Sequence, residues 1–276
     1  MNFYQHLPYQ INPVALSLFS VEIRWYGLMY LAAFLTVYLL VLFRLKTERF
    51  DFTKNHIDDF FTWAIIGILL GGRLGYVLFY NLQHFIQFPL EIFLPFSWDG
   101  GFHYVGIYGM SFHGGLLGAV LAFIGFCKKY KLPLWRFGDL FVPAGPLGYM
   151  FGRIGNFING ELWGRPTNVP WGMYFPYDPT HLLRHPSQLY EALGEGLLMF
   201  CILWPMRTWP QLKHKMFFLY LILYGTVRFI IEFFRQPDEQ LGVVLWGMSM
   251  GQVLCVIMIA VGAGLLILRK EREKIG

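Results

Sequence analysis

The densest group of polar side chains in the chain lies in residues 152–165. This short run contains two arginines, two asparagines and one glutamate, namely Arg153, Arg165, Asn156, Asn159 and Glu161. Arginine presents a planar fork of donors that fits a phosphate, and the intervening glycines permit close approach of the backbone to a ligand. We interpret the run as a cradle for a phosphate ester, with Glu161 orienting an arginine or binding hydroxyl groups. The alternative is a helix end whose polar groups satisfy one another.

A second group consists of Tyr224, Arg228 and Glu232, which are spaced four residues apart. On a helix these three side chains share one face. Arg228 and Glu232 would neutralise each other in a bilayer, where isolated charges are costly. The same pair could present the remaining arginine donors to a lipid headgroup, so both interpretations stay open.

Two histidines are candidates for a general base. His113 begins a glycine-rich run, and a neutral histidine near a membrane interface can take a proton from a nucleophile. His103 lies shortly before it and is a second candidate. A lone histidine is more often a hydrogen-bonded structural residue, so the choice among His113, His103 and neither as the base stays open.

Residues 184–191 form a further polar run. It is typical of a helix start, with Ser187 near the N-cap and Glu191 in the first turns. Its role can be purely structural.

The sequence motifs favour neither a metal nor an organic cofactor. There is no HExxH motif, no Asp-rich ladder and no Cys/His cluster at ligand spacing. There is also no GxSxG elbow and no glycine-rich nucleotide loop. The cysteines Cys127, Cys201 and Cys255 lie in apolar runs and are interpreted as inert thiols.

These residues belong to a chain with the composition of a membrane protein. Of its 276 residues, 56% are hydrophobic and 14% are charged, whereas about 25% are charged in soluble domains. A membrane-spanning helix needs about 20 mostly apolar residues. Candidate runs are residues 25–43, 60–80, 111–127, 137–157, 189–204, 216–234 and 248–268. The predicted fold is an all-α polytopic membrane protein of about seven transmembrane helices, forming a single integral membrane domain over residues 1–276.

The basic residues predict the orientation of this domain. All lysines fall in four clusters, at residues 44–54, 128–136, 207–215 and 269–274. With seven spans these clusters share one side, which the positive-inside rule makes the cytoplasm. The N-terminus is then outside and the C-terminus inside. Because the basic residues form no single stripe, nucleic-acid binding is not expected.

Three arginines and two long segments indicate that the functional site faces the outer side of the membrane. Arg73, Arg153 and Arg228 have apolar residues on both sides, and ionisable groups within spans are functional candidates. Residues 81–110 are predicted to form an outer loop. Residues 156–188, dense in polar, proline and aromatic residues, are predicted to form a small ordered head.

Several motifs follow one another in order along nearly the whole chain. They are RWYGLMY at 24–30, GGRLGY at 71–76, HGG at 113–115, the run from Arg153 to Gly164, HPSQLYE at 185–191 and RQPD at 235–238. In these motifs the sequence resembles the prolipoprotein diacylglyceryl transferases, and the run from Arg153 to Gly164 is the most specific of them.

The resemblance implies a bacterial inner-membrane enzyme with seven spans and a small periplasmic head. It implies transfer of the diacylglyceryl group of phosphatidylglycerol to the lipobox cysteine of preprolipoproteins. The products would be a thioether-linked lipid and glycerol phosphate, in the first step of lipoprotein maturation. The partners would be phosphatidylglycerol, lipobox signal peptides and membrane lipids, and no cofactor would be needed.

The resemblance also assigns roles to residues. Arg153 and Arg228 would hold the phosphate, and His113 stands at the position of the candidate base. The site would be lined by Tyr26, Asn156, Glu161, Gly164, Tyr224 and Glu232. We add Asn159, His185 and Arg235 from the polar runs, and Arg73 from an apolar run, as further candidate substrate-binding residues.

One segment departs from the family pattern. Residues 102–109 intervene between the WDGG motif at 98–101 and the MSFHGG motif at 110–115, and they carry His103.

The alternative function is an anionic-lipid transporter or flippase, which would use the same buried arginines but form no covalent product.

Overall fold

The computed structural model describes residues 3–18, 21–94, 96–98, 101–104, 109–236, 243–245 and 247–275. Its helices are α1 (Leu7–Gln10), α2 (Trp25–Thr47), α3 (Lys54–Tyr80), α4 (Leu82–Gln87), α5 (Phe112–Lys129), α6 (Leu134–Phe141), α7 (Gly145–Ile158), α8 (Ser187–Glu191), α9 (Met199–Met206), α10 (Met216–Ile231) and α11 (Met250–Ile275). A π-helix, Ala192–Leu198, joins α8 to α9. Short 3₁₀ helices cover Phe3–His6, Pro89–Ile92 and Pro210–Leu212. The chain is mostly helical, as predicted.

Within the described residues, the strands are short and each pairs with a neighbour in sequence. They are β1 (Val14–Leu18), β2 (Val21–Arg24), β3 (Phe96–Ser97), β4 (His103–Tyr104), β5 (Val243–Leu245) and β6 (Met248–Ser249). There are three two-stranded antiparallel sheets among the described residues: β1 with β2, β3 with β4, and β5 with β6.

In the described residues, five helices are long and apolar enough to cross a membrane. They are Trp25–Thr47, Lys54–Tyr80, Phe112–Lys129, Ser187–Met206 and Met250–Leu268. They correspond to the first, second, third, fifth and seventh predicted runs. The chain is therefore a polytopic membrane protein.

The predicted fourth span, residues 137–157, is not one continuous helix. Helix α6 ends at Phe141, and α7 begins at Gly145 with a proline in its first turn. Pro143 disfavours the helical conformation at the residue before it, and Pro146 is well placed at a helix start. These two prolines separate the helices. The sixth run also has a shorter helix than predicted, α10, which covers 16 residues.

The chain divides into two compact units. The first comprises Met1–Arg44 with Gly138–Gly276, and the second comprises Leu45–Phe137.

In the first unit, α7 lies close to the π-helix because Gly196 has no side chain. A Cβ atom added at Gly196 would lie 2.6 Å from the Cβ of Met150 on α7. Met199 and Leu203 of α9 are fully buried and form a core with Met216 at the start of α10. The unit thereby brings α7, α8 with its π-helical continuation, and α10 together.

Arg44 is a buried member of one of the four basic clusters. Although it opens the basic cluster of residues 44–54, it is 1% exposed. Its Nη1 donates to the carbonyl oxygens of Asp139 and Leu140, at 2.6 and 2.8 Å. These carbonyls belong to the last turn of α6, where backbone acceptors lack helical partners.

The predicted head is held together by a buried arginine. Arg184 donates from Nε and Nη2 to the two carboxylate oxygens of Asp178, at 2.7 and 2.9 Å. Its Nη1 reaches the side chain of Gln236 beyond α10, at 3.3 Å. Burial alone would raise the pKa of Asp178, but hydrogen bonds from Arg184 and Thr180 lower it to about 2. The head is thus fixed to the segment that follows α10.

In the second unit, α3 and α5 pack through facing glycines. A Cβ atom at Gly118 would lie 2.0 Å from the carbonyl oxygen of Gly67, and one at Gly114 would lie 2.3 Å from that of Gly71. Small residues at such crossings let helix backbones approach closely in a membrane.

Candidate active site

The candidate site lies in the first unit and is centred on Glu191, which is fully buried. Its Oε2 contacts Arg153 Nε at 2.9 Å and Arg228 Nη1 at 3.2 Å. The hydroxyl group of Tyr149 donates to the same oxygen at 3.3 Å. The other oxygen, Oε1, accepts from Arg235 Nη1 at 3.4 Å. One carboxylate therefore joins three arginines from α7, from α10 and from the turn after α10.

Arg228 is surrounded by carboxylates. Besides Glu191, its Nη1 meets Glu195 Oε1 at 3.3 Å, and its Nη2 meets Glu232 Oε2 at 3.2 Å. The predicted Arg228–Glu232 ion pair is therefore present. Glu232 is itself oriented by Ser249, whose hydroxyl donates to Oε1 at 3.0 Å.

The run at residues 152–165 forms a chain of polar contacts that leads to this cluster. Arg153 Nη1 donates to Asn156 Oδ1 at 3.3 Å, and Asn156 Nδ2 donates to Glu161 Oε1 at 2.8 Å. Asn159 Nδ2 approaches the same glutamate oxygen at 3.4 Å. The guanidinium group of Arg153 also lies over the ring of Tyr149, 4.7 Å from its centroid. These contacts fix the direction of Arg153.

The arginines and carboxylates compensate each other's burial. An isolated charge in an apolar interior is very costly, whereas a paired and hydrogen-bonded one is tolerated. A guanidinium group has five N–H donors. Arg153 and Arg228 can therefore hold carboxylates on one side and still offer donors to a phosphate.

Gly164 places the head directly against the segment after α10. Its N–H donates to the carbonyl oxygen of His185 at 2.8 Å, and it forms a β-bridge with Arg235. Arg165 Nε donates to the carbonyl oxygen of Arg235 at 2.9 Å. The backbone around Arg235 is therefore held from both Gly164 and Arg165.

His185 stands beside Tyr190, and its Nδ1 lies 3.0 Å from the tyrosine hydroxyl oxygen. Trp171 Nε1 donates to the same hydroxyl at 2.8 Å. Burial lowers the pKa of His185 and so favours its neutral form. Its place next to Gly164 puts it at the edge of the site.

The two predicted tyrosines lie against α7. The ring of Tyr26 is close to Gly155, where an added Cβ atom would be 3.1 Å from Cδ2 of the ring. Its hydroxyl oxygen is 3.1 Å from that of Tyr30. Tyr224 meets Tyr149 edge to face, with ring centroids 6.2 Å apart.

The remaining predicted site residues belong to the second unit. Arg73 is buried and donates to the backbone carbonyl oxygens of Ile92, Glu91 and Gly109 at 2.8, 2.6 and 3.3 Å. These bonds hold the predicted outer loop. A substrate-binding role for Arg73 stays a prediction.

For the two candidate bases, the structure describes the side chain of His113 but only the backbone of His103. His113 is exposed in the first turn of α5, with its ring 5.7 Å from that of Phe112. The Ser111 hydroxyl oxygen caps this helix by accepting from Gly114 N at 3.2 Å. The backbone of His103 pairs with Ser97 in the sheet of β3 and β4, and its side chain lies outside the described part. The question of the base stays open.

Sequence reasoning missed three residues of the cluster. Glu191 was interpreted only as part of a helix start, and Glu195 and Tyr149 were not singled out. The helix does begin at Ser187. A usable signal was present, because Glu191 and Glu195 are two carboxylates four residues apart at the start of an apolar span, and such groups are functional candidates.

The fold and the site together define a class: a polytopic membrane protein with a buried arginine–carboxylate cluster suited to an anionic ligand. The chain belongs to the prolipoprotein diacylglyceryl transferase family, whose profile matches residues 13–268. It is accordingly a transferase.

Three relatives illustrate the extent of the similarity. A phosphatidylglycerol–prolipoprotein diacylglyceryl transferase of Chlorobaculum tepidum is 52% identical over 99% of this chain and 94% of the relative. An enzyme of the same name from Campylobacter jejuni is 47% identical over 94% of this chain and 93% of its own. Another from Acinetobacter baumannii is 46% identical over 91% of this chain and 90% of its own.

Proposed function

We propose that this protein transfers the diacylglyceryl group of phosphatidylglycerol to the lipobox cysteine thiol of preprolipoproteins. The observation that carries the proposal is the sharing of Glu191 by Arg153 and Arg228, which lie far apart in sequence. Two arginines held at one carboxylate bring guanidinium donors close together, and such donors fit the oxygens of a phosphodiester. Family membership supplies the reaction class.

The reaction is a displacement at carbon. The cysteine sulfur attacks the glycerol carbon that bears the phosphate ester, a C–S bond forms and the C–O bond to phosphate breaks. The electron pair of the broken bond leaves with glycerol phosphate, and the thiol proton passes to a base. A free thiol has a pKa of about 8.5, and the thiolate is the nucleophile, so a base assists the attack.

Arg153 and Arg228 stabilise the leaving group in this proposal. Negative charge gathers on the phosphate as the C–O bond breaks, and preorganised donors in a site with little water lower the barrier most effectively. Both side chains are 14% exposed and are held in place by carboxylates of the protein itself.

The roles predicted for the remaining residues are part of the proposal. Substrate-binding roles are proposed for Tyr26, Arg73, Asn156, Asn159, Glu161, Gly164, His185, Tyr224, Glu232 and Arg235. His113 is the proposed base. The proposed reaction scheme needs no cofactor, since both bonds change by displacement alone.

The proposed topology has seven crossings in the bacterial inner membrane, with the N-terminus outside and the C-terminus inside. α7 and α10 would complete the set with 14 and 16 residues, equivalent to about 21 and 24 Å of helix. Support comes from the four lysine-containing clusters, which share one side under this count. Residues 156–188 would then form a periplasmic head and residues 81–110 a periplasmic loop.

Mass spectrometry of a lipobox peptide tests the function. The purified protein is incubated in detergent with phosphatidylglycerol and the peptide, beside Arg153→Ala, Arg228→Ala and the exposed control Arg49→Ala. A diacylglyceryl adduct on cysteine is expected with the wild type and the control, and not with the two site variants. A wild-type preparation that binds the lipid but forms no adduct would contradict the transferase proposal and favour a flippase.

A further inference from the structure

Glu195 is a buried carboxylate that the proposed reaction does not use. It is 1% exposed and lies within the π-helix Ala192–Leu198. π-Helical turns inside α-helices are rare and occur frequently at functional sites. Its position one helical turn beyond Glu191 places both carboxylates on the side of this helix that faces Arg228.

The contacts of the three carboxylates around Arg228 are not equivalent. Glu191 is shared with Arg153, Arg235 and Tyr149, as described above. Glu232 is bound from its other oxygen by Ser249. Glu195 Oε1 accepts a hydrogen bond from Arg228 Nη1 at 3.3 Å, and its Oε2 has no hydrogen-bond partner in the part of the chain that the structure describes. The ion pair of Glu195 is thus with Arg228, and Tyr149 is a second hydrogen-bonding neighbour of the same carboxylate.

We propose that Glu195 is a positioning residue, which holds the guanidinium group of Arg228 in the orientation that binds the lipid phosphate. This inference rests on the proposed function of Arg228. A charge-assisted hydrogen bond fixes a guanidinium plane more strongly than a neutral one. With Nη1 occupied by Glu195 and Glu191 and Nη2 by Glu232, Nε is the donor of Arg228 that is left, among the described contacts, to meet a phosphate.

Two substitutions separate the effect of the charge of Glu195 from the effect of its side-chain length. Glu195→Gln keeps the size of the side chain and one acceptor oxygen but removes the charge. Glu195→Asp keeps the charge but shortens the reach. Glu22→Gln, at an exposed position on β2, is the matched control.

The test measures kcat and KM separately for phosphatidylglycerol and for the lipobox peptide. Glu195→Gln is expected to lower kcat/KM for the lipid about tenfold, the usual effect of weakening one charge-assisted hydrogen bond. KM for the peptide and the thermal midpoint should stay near the wild-type values. Glu195→Asp should recover part of the lost rate, and Glu22→Gln should match the wild type.

Three results would overturn the proposal: full activity in Glu195→Gln, an activity loss that only follows the loss of folded protein, or equal changes in KM for both substrates. Phosphatidylglycerol binding by native mass spectrometry, in the same preparations, separates this proposal from the transferase reaction. If the wild type binds lipid but does not transfer it, the reaction is wrong, and weaker lipid binding by Glu195→Gln still supports the positioning role. Equal binding in that case refutes it.

Discussion

Replacing Gly164 by alanine should reduce activity far more than it reduces stability. A Cβ atom there would lie 2.3 Å from the carbonyl oxygen of Phe234, and 2.8 and 2.9 Å from the Cβ and carbonyl oxygen of His185. Two of these three neighbours are backbone atoms, which cannot rotate away. Since ordinary contact begins near 3.4 Å, the two segments must separate by about 1 Å.

The displaced Phe234 is only one peptide bond away from the site residue Arg235. Phe234 directly precedes Arg235, whose Nη1 contacts Glu191 at 3.4 Å. Overpacking of this kind costs about 1–3 kcal/mol of stability. A misplacement of about 1 Å near a reacting group can cost a factor of about 100 in rate. We therefore expect a Gly164→Ala protein that folds but transfers about 100-fold more slowly.

The assay compares transfer rate and thermal unfolding in detergent for Gly164→Ala and Gly264→Ala. Gly264 lies in α11, and apart from its own helix backbone no atom of the described residues is within 4 Å of an added Cβ. The control should keep its activity and its stability. Wild-type activity in Gly164→Ala would refute the reasoning, as would an activity loss no larger than the loss of folded protein.

Three further predictions concern the carboxylates and the helix crossing. Glu191→Gln should abolish detectable transfer and lower stability by about 3–5 kcal/mol, because it leaves buried arginines without their shared partner; a variant with wild-type activity and unfolding midpoint would contradict this. Because the pKa of Asp178 is lowered from 3.8 to about 2 in the folded protein, its ionised form contributes about 2 kcal/mol above pH 4, which is lost as the pH falls towards 2. Unfolding midpoints of wild type and Asp178→Asn between pH 6 and 2 should therefore converge on acidification, and parallel curves would disprove the assignment. Gly118→Leu should prevent α3 and α5 from packing, since even a Cβ would lie 2.0 Å from the Gly67 carbonyl oxygen; monodisperse, active protein at wild-type yield would show that the crossing adapts.

The network around Glu191 explains why some site residues were predictable and others were not. Arg153, Asn156 and Glu161 are close in sequence, and their density in an apolar chain marked them out. The Arg228–Glu232 pair follows from helical spacing alone. Glu191 looked like an ordinary residue of a helix start, because its three arginine partners come from α7, α10 and the following turn.

Arg73 shows the reverse case. Its place in an apolar run made it a candidate for a ligand, yet the structure gives it three backbone carbonyl partners in its own unit. A buried arginine can meet its donors with carbonyl oxygens as well as with a phosphate. The sequence could not distinguish these two uses.

The sequence by itself determined the class of the protein, most of its long apolar helices and the polar run that contains Arg153. These properties depend on local composition and on the period of the helix, which a chain carries wherever it folds. The burial of Arg44 and the joining of three arginines at Glu191 become visible only in the tertiary structure. Such features depend on contacts between distant segments. A buried charge needs an ion-pair or hydrogen-bond partner, and the local sequence does not specify which residue provides it.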